Sequence, residues 1–223
     1  MIDKIIRVLC FALLGSGIGA AGIFWIRAIV KKRNLTYELN QKTEWIFVLV
    51  MALPGGLLGA LTAGWIVPIS GLILSGICGA AALTDIIYRI IPNETVLAVI
   101  GLKLLFGLPT VFGAEGFLPF DPVQSLLGLV VCFLLFSLPG LFGKKVGAGD
   151  IKLAGAMGFF LGLRFSLIGV VIMGLLVIGF SLVQGQMPVL KFLKEKIPMG
   201  PFITAGLFTA FISSVSTLFF AGV

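Results

Sequence analysis

The chain has 223 residues, 59% of them hydrophobic and only 11% charged, and a mean hydropathy of +1.20. A water-soluble domain cannot carry that much apolar surface without aggregating, so the solvent of this protein is lipid. Its net charge of +7 sits in loops too short to fold a basic domain, which excludes a nucleic-acid partner from the expectation.

Crossing ~30 Å of hydrocarbon takes roughly 20 apolar residues per helix. The apolar stretches here are continuous rather than alternating, which favours helices over a barrel. The expected fold class is all-α, a polytopic membrane protein with eight spans near residues 5–30, 46–64, 66–84, 94–112, 122–142, 150–163, 165–185 and 199–221. No long linker interrupts the sequence, so residues 1–223 read as a single membrane domain.

In chain order, the first span is too long for a signal-peptide core and runs into Lys31, Lys32 and Arg33 without a small-residue cleavage site, so it reads as a retained helix. The polar stretch 31–44 is expected to be a short cytoplasmic loop. Span three delivers Asp85 to its end, followed by Arg89 and then Pro92-Asn93, where Asn93 is the expected N-cap of span four and Glu94 suits the helix dipole. Lys103 lies within span four and is expected to snorkel towards the headgroups, the alternative being that it faces a wet cavity. After span five come Lys144 and Lys145, then Val146-Gly147-Ala148-Gly149-Asp150 at the start of span six. Lys191, Lys194 and Lys196 follow span seven, and Pro198-Met199-Gly200-Pro201 marks a turn and restart before the last span, with Pro201 suited to a first helical turn.

The basic loops 31–44, after span three, after span five and after span seven all fall on one side. The other side holds only Lys4, Arg7 and Arg164, and carries Glu115 and Asp121 instead. The positive-inside rule makes the basic side cytoplasmic and puts both termini outside, and the basic rim also suits anionic membrane lipids.

The inventory of reactive groups is short. The chain has no histidine, which removes a Ser-His or Cys-His pair and an HExxH zinc site. Cys10, Cys78 and Cys132 are far apart within apolar spans, so neither a metal site nor a disulfide framework is expected. Most acids fall in polar ends or loops. Asp85 and Asp150 are bordered by apolar sequence at the same edge of the membrane, and placing a carboxylate there is costly enough to mark both as candidates for function.

Two carboxyl groups held close together tend to share one proton, which gives a base and an acid at once. The ionised partner takes a proton from water while the other polarises a peptide carbonyl, and no metal or cofactor is needed. Gly147 and Gly149 allow a turn that aims Asp150 and admits a substrate strand. The plainer alternatives are that Asp150 N-caps the helix beginning at Ile151 and that Asp85 pairs with Arg89 four residues on. Judged from the dipole of each residue's own helix, Asp85 is the acid and Asp150 the base.

Three separated segments resemble the prepilin peptidase family, also called type IV leader peptidases. They are Thr84-Asp85 with the run to Ile91-Pro92-Asn93, then Gly147-Ala148-Gly149-Asp150-Ile151-Lys152-Leu153 with Gly158 and Gly162, and finally Ile197-Pro198-Met199-Gly200-Pro201-Phe202. Their order, spread over roughly residues 72–210, carries the resemblance. Presenilin-like peptidases share the GxGD segment but pair a Tyr with the first aspartate and carry a later Pro-Ala-Leu, both absent here.

The resemblance implies an intramembrane aspartic endopeptidase with Asp85 and Asp150 catalytic. Gly147, Gly149, Lys152, Pro92, Asn93, Gly200 and Pro201 would be supporting positions. The implied substrate is a type IV prepilin-like precursor with a short basic leader, a glycine before the cut and an apolar helix after it. Many bacterial members insert a cysteine-rich zinc-binding segment after the first span and also methylate the product. Only residues 31–44 stand there in this chain, so neither zinc nor methyl transfer is expected. A proton-coupled transporter using the same carboxylates, or a non-catalytic assembly subunit, would also account for two membrane-edge acids.

Overall fold

A computed structural model of the chain describes residues 2–62, 64–114, 118–141, 146–183 and 198–220, residue 2 and the last four as backbone only. Among these, every regular element is helical: α1 Ile2–Lys32, α2 Gln41–Val50, α3 Ala52–Leu61, α4 Ile66–Tyr88, α5 Asn93–Val111, α6 Pro122–Leu141, α7 Ala148–Val183 and α8 Gly200–Phe220. Lys144, Lys145, Lys191, Lys194, Lys196, Ile197, Glu115 and Glu195 lie outside the described residues.

Among the described residues, six helical runs are long and apolar enough to cross a membrane, α2 and α3 counting together as Gln41–Leu61, and α8 contributes the shorter apolar run Gly200–Ser216. The protein is a multi-pass membrane protein. The interruption between α2 and α3 has a local cause. Pro54 has no N–H to give and its ring crowds the carbonyl of Val50 four residues back, where α2 stops. The polar stretch 31–44 supplies the last turn of α1, the connection 33–40 and the first turn of α2.

The sixth and seventh expected spans lie in one helical run, α7, which breaks at Gly162 with φ 74 and ψ 172. Only glycine adopts such angles without strain. In a straight helix Met157 and Gly169 would stand about 18 Å apart. Instead the tip of the Met157 side chain lies against the position a Cβ on Gly169 would take. The run therefore doubles back at Gly162 as a helical hairpin. Its first arm, 148–161, rises about 21 Å, short of the ~30 Å of a bilayer core.

Two crossings fix this hairpin. The backbones of Gly128 on α6 and Gly158 on the first arm touch directly, each glycine's missing Cβ leaving room for the other's carbonyl. On the second arm, Gly169 lies against the Gly206 carbonyl of α8. Helices in lipid gain nothing from hydrophobic exclusion between them, so such close backbone approach is the main source of association.

Beyond the hairpin tip the short segment 118–121 folds inward. Leu118 is buried and donates its N–H to the Phe106 carbonyl at 2.9 Å, and Phe120 packs on Phe159 with ring centroids 6.0 Å apart. Here the expectation for Lys103 fails. Rather than snorkelling, Lys103 is 7% exposed, donates to the Pro119 carbonyl at 2.8 Å and lies over the rings of Phe120 and Phe160. A carbonyl and two aromatic faces inside the protein satisfy the ammonium better than a stretched path to the headgroups does.

Gly128→Val forces a branched side chain into the Gly158 backbone and is expected to destabilise the protein by about 1–3 kcal/mol. Gly140→Ala on the same helix, where a Cβ meets nothing within 4 Å, should be neutral. Thermal unfolding of both variants in detergent checks the contrast.

Candidate active site

Both aspartates stand at one end of the bundle. Asp85 closes α4, one turn before the chain leaves the helix at Arg89, whose left-handed conformation (φ 52) ends α4 with an N–H to the Asp85 carbonyl at 2.9 Å. The chain then turns through Ile91 and Pro92, both buried, into α5. Asp150 lies in the first turn of α7.

Several contacts bind these ends to one another. A Cβ on Gly149 would come within 2.9 Å of Ile91 Cβ, so the turn after α4 rests directly on the Gly147-Ala148-Gly149 segment. Lys152 Nζ donates to Asn93 Oδ1 at 3.1 Å, tying the start of α7 to the start of α5. Glu94 joins the same end to α1 through Lys32 at 2.7 Å and Arg33 at 3.6 Å. The Glu38 N–H reaches the Tyr88 hydroxyl at 3.1 Å, closing the 33–40 connection over the end of α4.

One local expectation and one of the plainer alternatives are corrected here. Asn93 does not cap α5. Pro92 holds the N-cap position with no side-chain cap, its carbonyl accepting from the Thr95 hydroxyl at 2.6 Å, and Asn93 instead receives Lys152. Nor does Asp150 cap a helix starting at Ile151. The helix begins three residues earlier at Ala148, so Asp150 falls inside its first turn with its carboxylate folded back over Gly147, Oδ2 lying 2.5 Å from where a Cβ there would be.

The start of α8 completes the site. Gly200 N–H donates to Asp85 Oδ2 at 2.7 Å across 115 residues of sequence. Gly200 is required by space as well as by its donor, since a Cβ there would lie 2.8 Å from both Cβ and Oδ2 of Asp85. Pro201 follows in the first turn, where its missing N–H costs nothing, and its carbonyl accepts from the Thr204 hydroxyl at 3.0 Å. The dipole reading drawn from each aspartate's own helix was therefore incomplete. Asp85 sits at the C-terminus of α4 but faces the N-terminus of α8, whose field has the opposite sign.

Asp85 is only 6% exposed. Asp150 is partly buried, and its Oδ1 has no hydrogen-bond partner among the described residues. The Ile91 contact with Gly149 sets the helix ends that carry the two carboxyl groups side by side. Among the described residues no group of three or more His, Cys, Asp or Glu side chains is arranged to hold a metal ion. Chemically, the arrangement offers two carboxyl groups on adjoining helix ends, one gripped by a backbone donor and one with an oxygen left over.

The family model described as type IV leader peptidase matches residues 72–182, a stretch that contains both aspartates and the turn between α4 and α5. No curated protein and no solved structure matched the chain.

Gly200→Ala is expected to cost about 1–3 kcal/mol, because the new methyl overlaps the Asp85 carboxylate. In an Asp85→Ala background the same substitution should cost about 1 kcal/mol less, since two of the three crowded atoms are gone. Equal costs in the two backgrounds, measured by thermal unfolding, would contradict the contact.

Proposed function

We propose that this chain, which belongs to the type IV leader peptidase family, is an aspartic endopeptidase that removes the basic leader from prepilin-like precursors with Asp85 and Asp150 as its catalytic pair. The family makes it a peptidase and implies prepilin-like substrates. The observation that supports the finer reading is that the turn after Asp85 rests on the Gly147-Ala148-Gly149 segment that leads into Asp150, so two carboxyl-bearing helix ends, 65 positions apart in sequence, adjoin at one end of a helical bundle.

In this reading a water molecule sits between the two carboxyl groups and the scissile carbonyl. One carboxylate takes a proton from the water as its oxygen attacks the carbonyl carbon. The other, protonated, donates to the carbonyl oxygen as the tetrahedral intermediate forms. Collapse of that intermediate breaks the C–N bond, with the proton returned to the leaving amine. The Gly200 N–H fixes the Asp85 carboxylate throughout, so its orientation is set before substrate arrives. Gly147 and Gly149, without side chains, leave the backbone beside Asp150 open to an extended peptide. Lys152 and Asn93 hold the two helix starts in register.

The positive-inside rule supports a cytoplasmic site and external termini, because Lys31, Lys32, Arg33 and Arg89 gather at the end that carries the aspartates. That is where the junction between a basic leader and a membrane helix rests. The apolar part of the substrate stays in lipid while its first turn unwinds at the pair.

Asp85→Asn and Asp150→Asn are each expected to lower cleavage of a leader-bearing precursor by about 10²–10⁴-fold while leaving the protein folded. Retained processing by either variant, measured in liposomes, would sink the two-aspartate mechanism. Incubation of the enzyme, precursor and labelled S-adenosylmethionine should leave the product's new N-terminus unlabelled; a methylated product would show a second activity.

A further inference from the structure

A cavity of about 460 Å³ lies where α1 ends, lined by Arg27, Val30, Lys31, Leu35 and Tyr37 and by neither aspartate. Arg27 and Lys31 are four residues apart on α1, so their side chains leave the same face of the helix. We propose that this groove seats the phosphate-bearing headgroup of an anionic phospholipid.

The cradle is built before any ligand arrives. Glu44 on α2 accepts two bonds from Arg27 Nη2, at 2.6 and 2.7 Å, and a third from Nε at 3.3 Å. It also accepts from the Tyr37 hydroxyl. Arg27 in turn lies over the Tyr37 ring, 5.3 Å from its centroid. Burial first, and then the Glu44 carboxylate beside it, raise the Tyr37 phenol above its ordinary value, so at neutral pH it stays a neutral donor.

This leaves donors over. The bonds to Glu44 and Tyr37 use Nε and Nη2 of Arg27, so its Nη1 is unpaired among the described residues, and so is the Lys31 ammonium. Two cations against one carboxylate give the cluster an excess of one positive charge, with free N–H groups on the cavity wall. That is the chemistry of a phosphate oxyanion site.

Position selects the lipid over a free phosphate. The groove opens at the membrane border that α1 reaches with Lys31 and Lys32 in its last turn, and Val30 and Leu35 give it aliphatic walls that a soluble ion would not use. A headgroup held here also braces the 33–40 connection, which touches the end of α4 through Glu38 and Tyr88.

The test is retention of phosphatidylglycerol by the full chain in native mass spectrometry, with phosphatidylcholine as the neutral lipid and glycerol phosphate as the soluble competitor. Wild type should hold phosphatidylglycerol in preference to phosphatidylcholine. Lys31→Ala should weaken that preference about fivefold, the contribution of one cation at an anionic surface, and Lys31→Arg should restore it. Lys4→Ala, the same loss of charge at the opposite end, should change nothing. Equal retention by wild type and Lys31→Ala, or an equal loss in Lys4→Ala, would overturn the site. Full displacement by glycerol phosphate would overturn the lipid as its occupant.

Discussion

A carboxylate buried at the edge of hydrocarbon must find a donor, and for Asp85 the donor is the Gly200 N–H at 2.7 Å. Most of the architecture around the site follows from this contact. It requires α8 to begin beside the end of α4, with glycine at that position because a methyl would overlap the carboxylate. It also places a helix N-terminus where its partial positive charge faces the acid, so the buried oxygen is met by a field as well as a hydrogen bond.

Asp150 is delivered by different means. Its helix is the short arm of a hairpin that turns at Gly162 and is held by backbone contact with α6 at Gly128 and Gly158. Because that arm is only about 21 Å long, the far side of the bundle needs filling. The inward-folded segment 118–121 fills it, with Lys103 binding the Pro119 carbonyl. Packing far from the aspartates thus helps to hold the helix that carries Asp150. The Ile91 contact with Gly149 and the bond from Lys152 to Asn93 then lock the two helix starts together.

Much of this was legible in the sequence, for physical reasons. Continuous apolar runs cannot be anything but lipid-facing or buried helices, so the fold class followed from composition. Asp85 and Asp150 stood out because carboxylates bordered by apolar residues are costly wherever they lie, and that cost does not depend on tertiary context. What escaped depended on partners distant in sequence. Asn93 looked like a cap because Asn caps helices, yet Lys152, 59 residues away, claims its oxygen. Lys103 looked like a snorkelling residue because the carbonyl and rings that hold it come from other elements. The α8 donor to Asp85 left only a faint trace, a glycine followed by proline at a helix start, which reads equally well as punctuation.

The central claim is that Asp85 and Asp150 act together on the tetrahedral intermediate of peptide hydrolysis. The most direct measurement is the affinity for a leader-spanning peptide whose scissile bond is replaced by a hydroxyl-bearing tetrahedral mimic, compared with the parent peptide. Preferential binding of the transition state predicts that wild type holds the mimic at least ~10²-fold more tightly, and that replacing either aspartate by asparagine removes the preference while leaving parent-peptide binding intact. A mimic bound no better than the parent, or a preference that survives loss of one aspartate, would contradict the account.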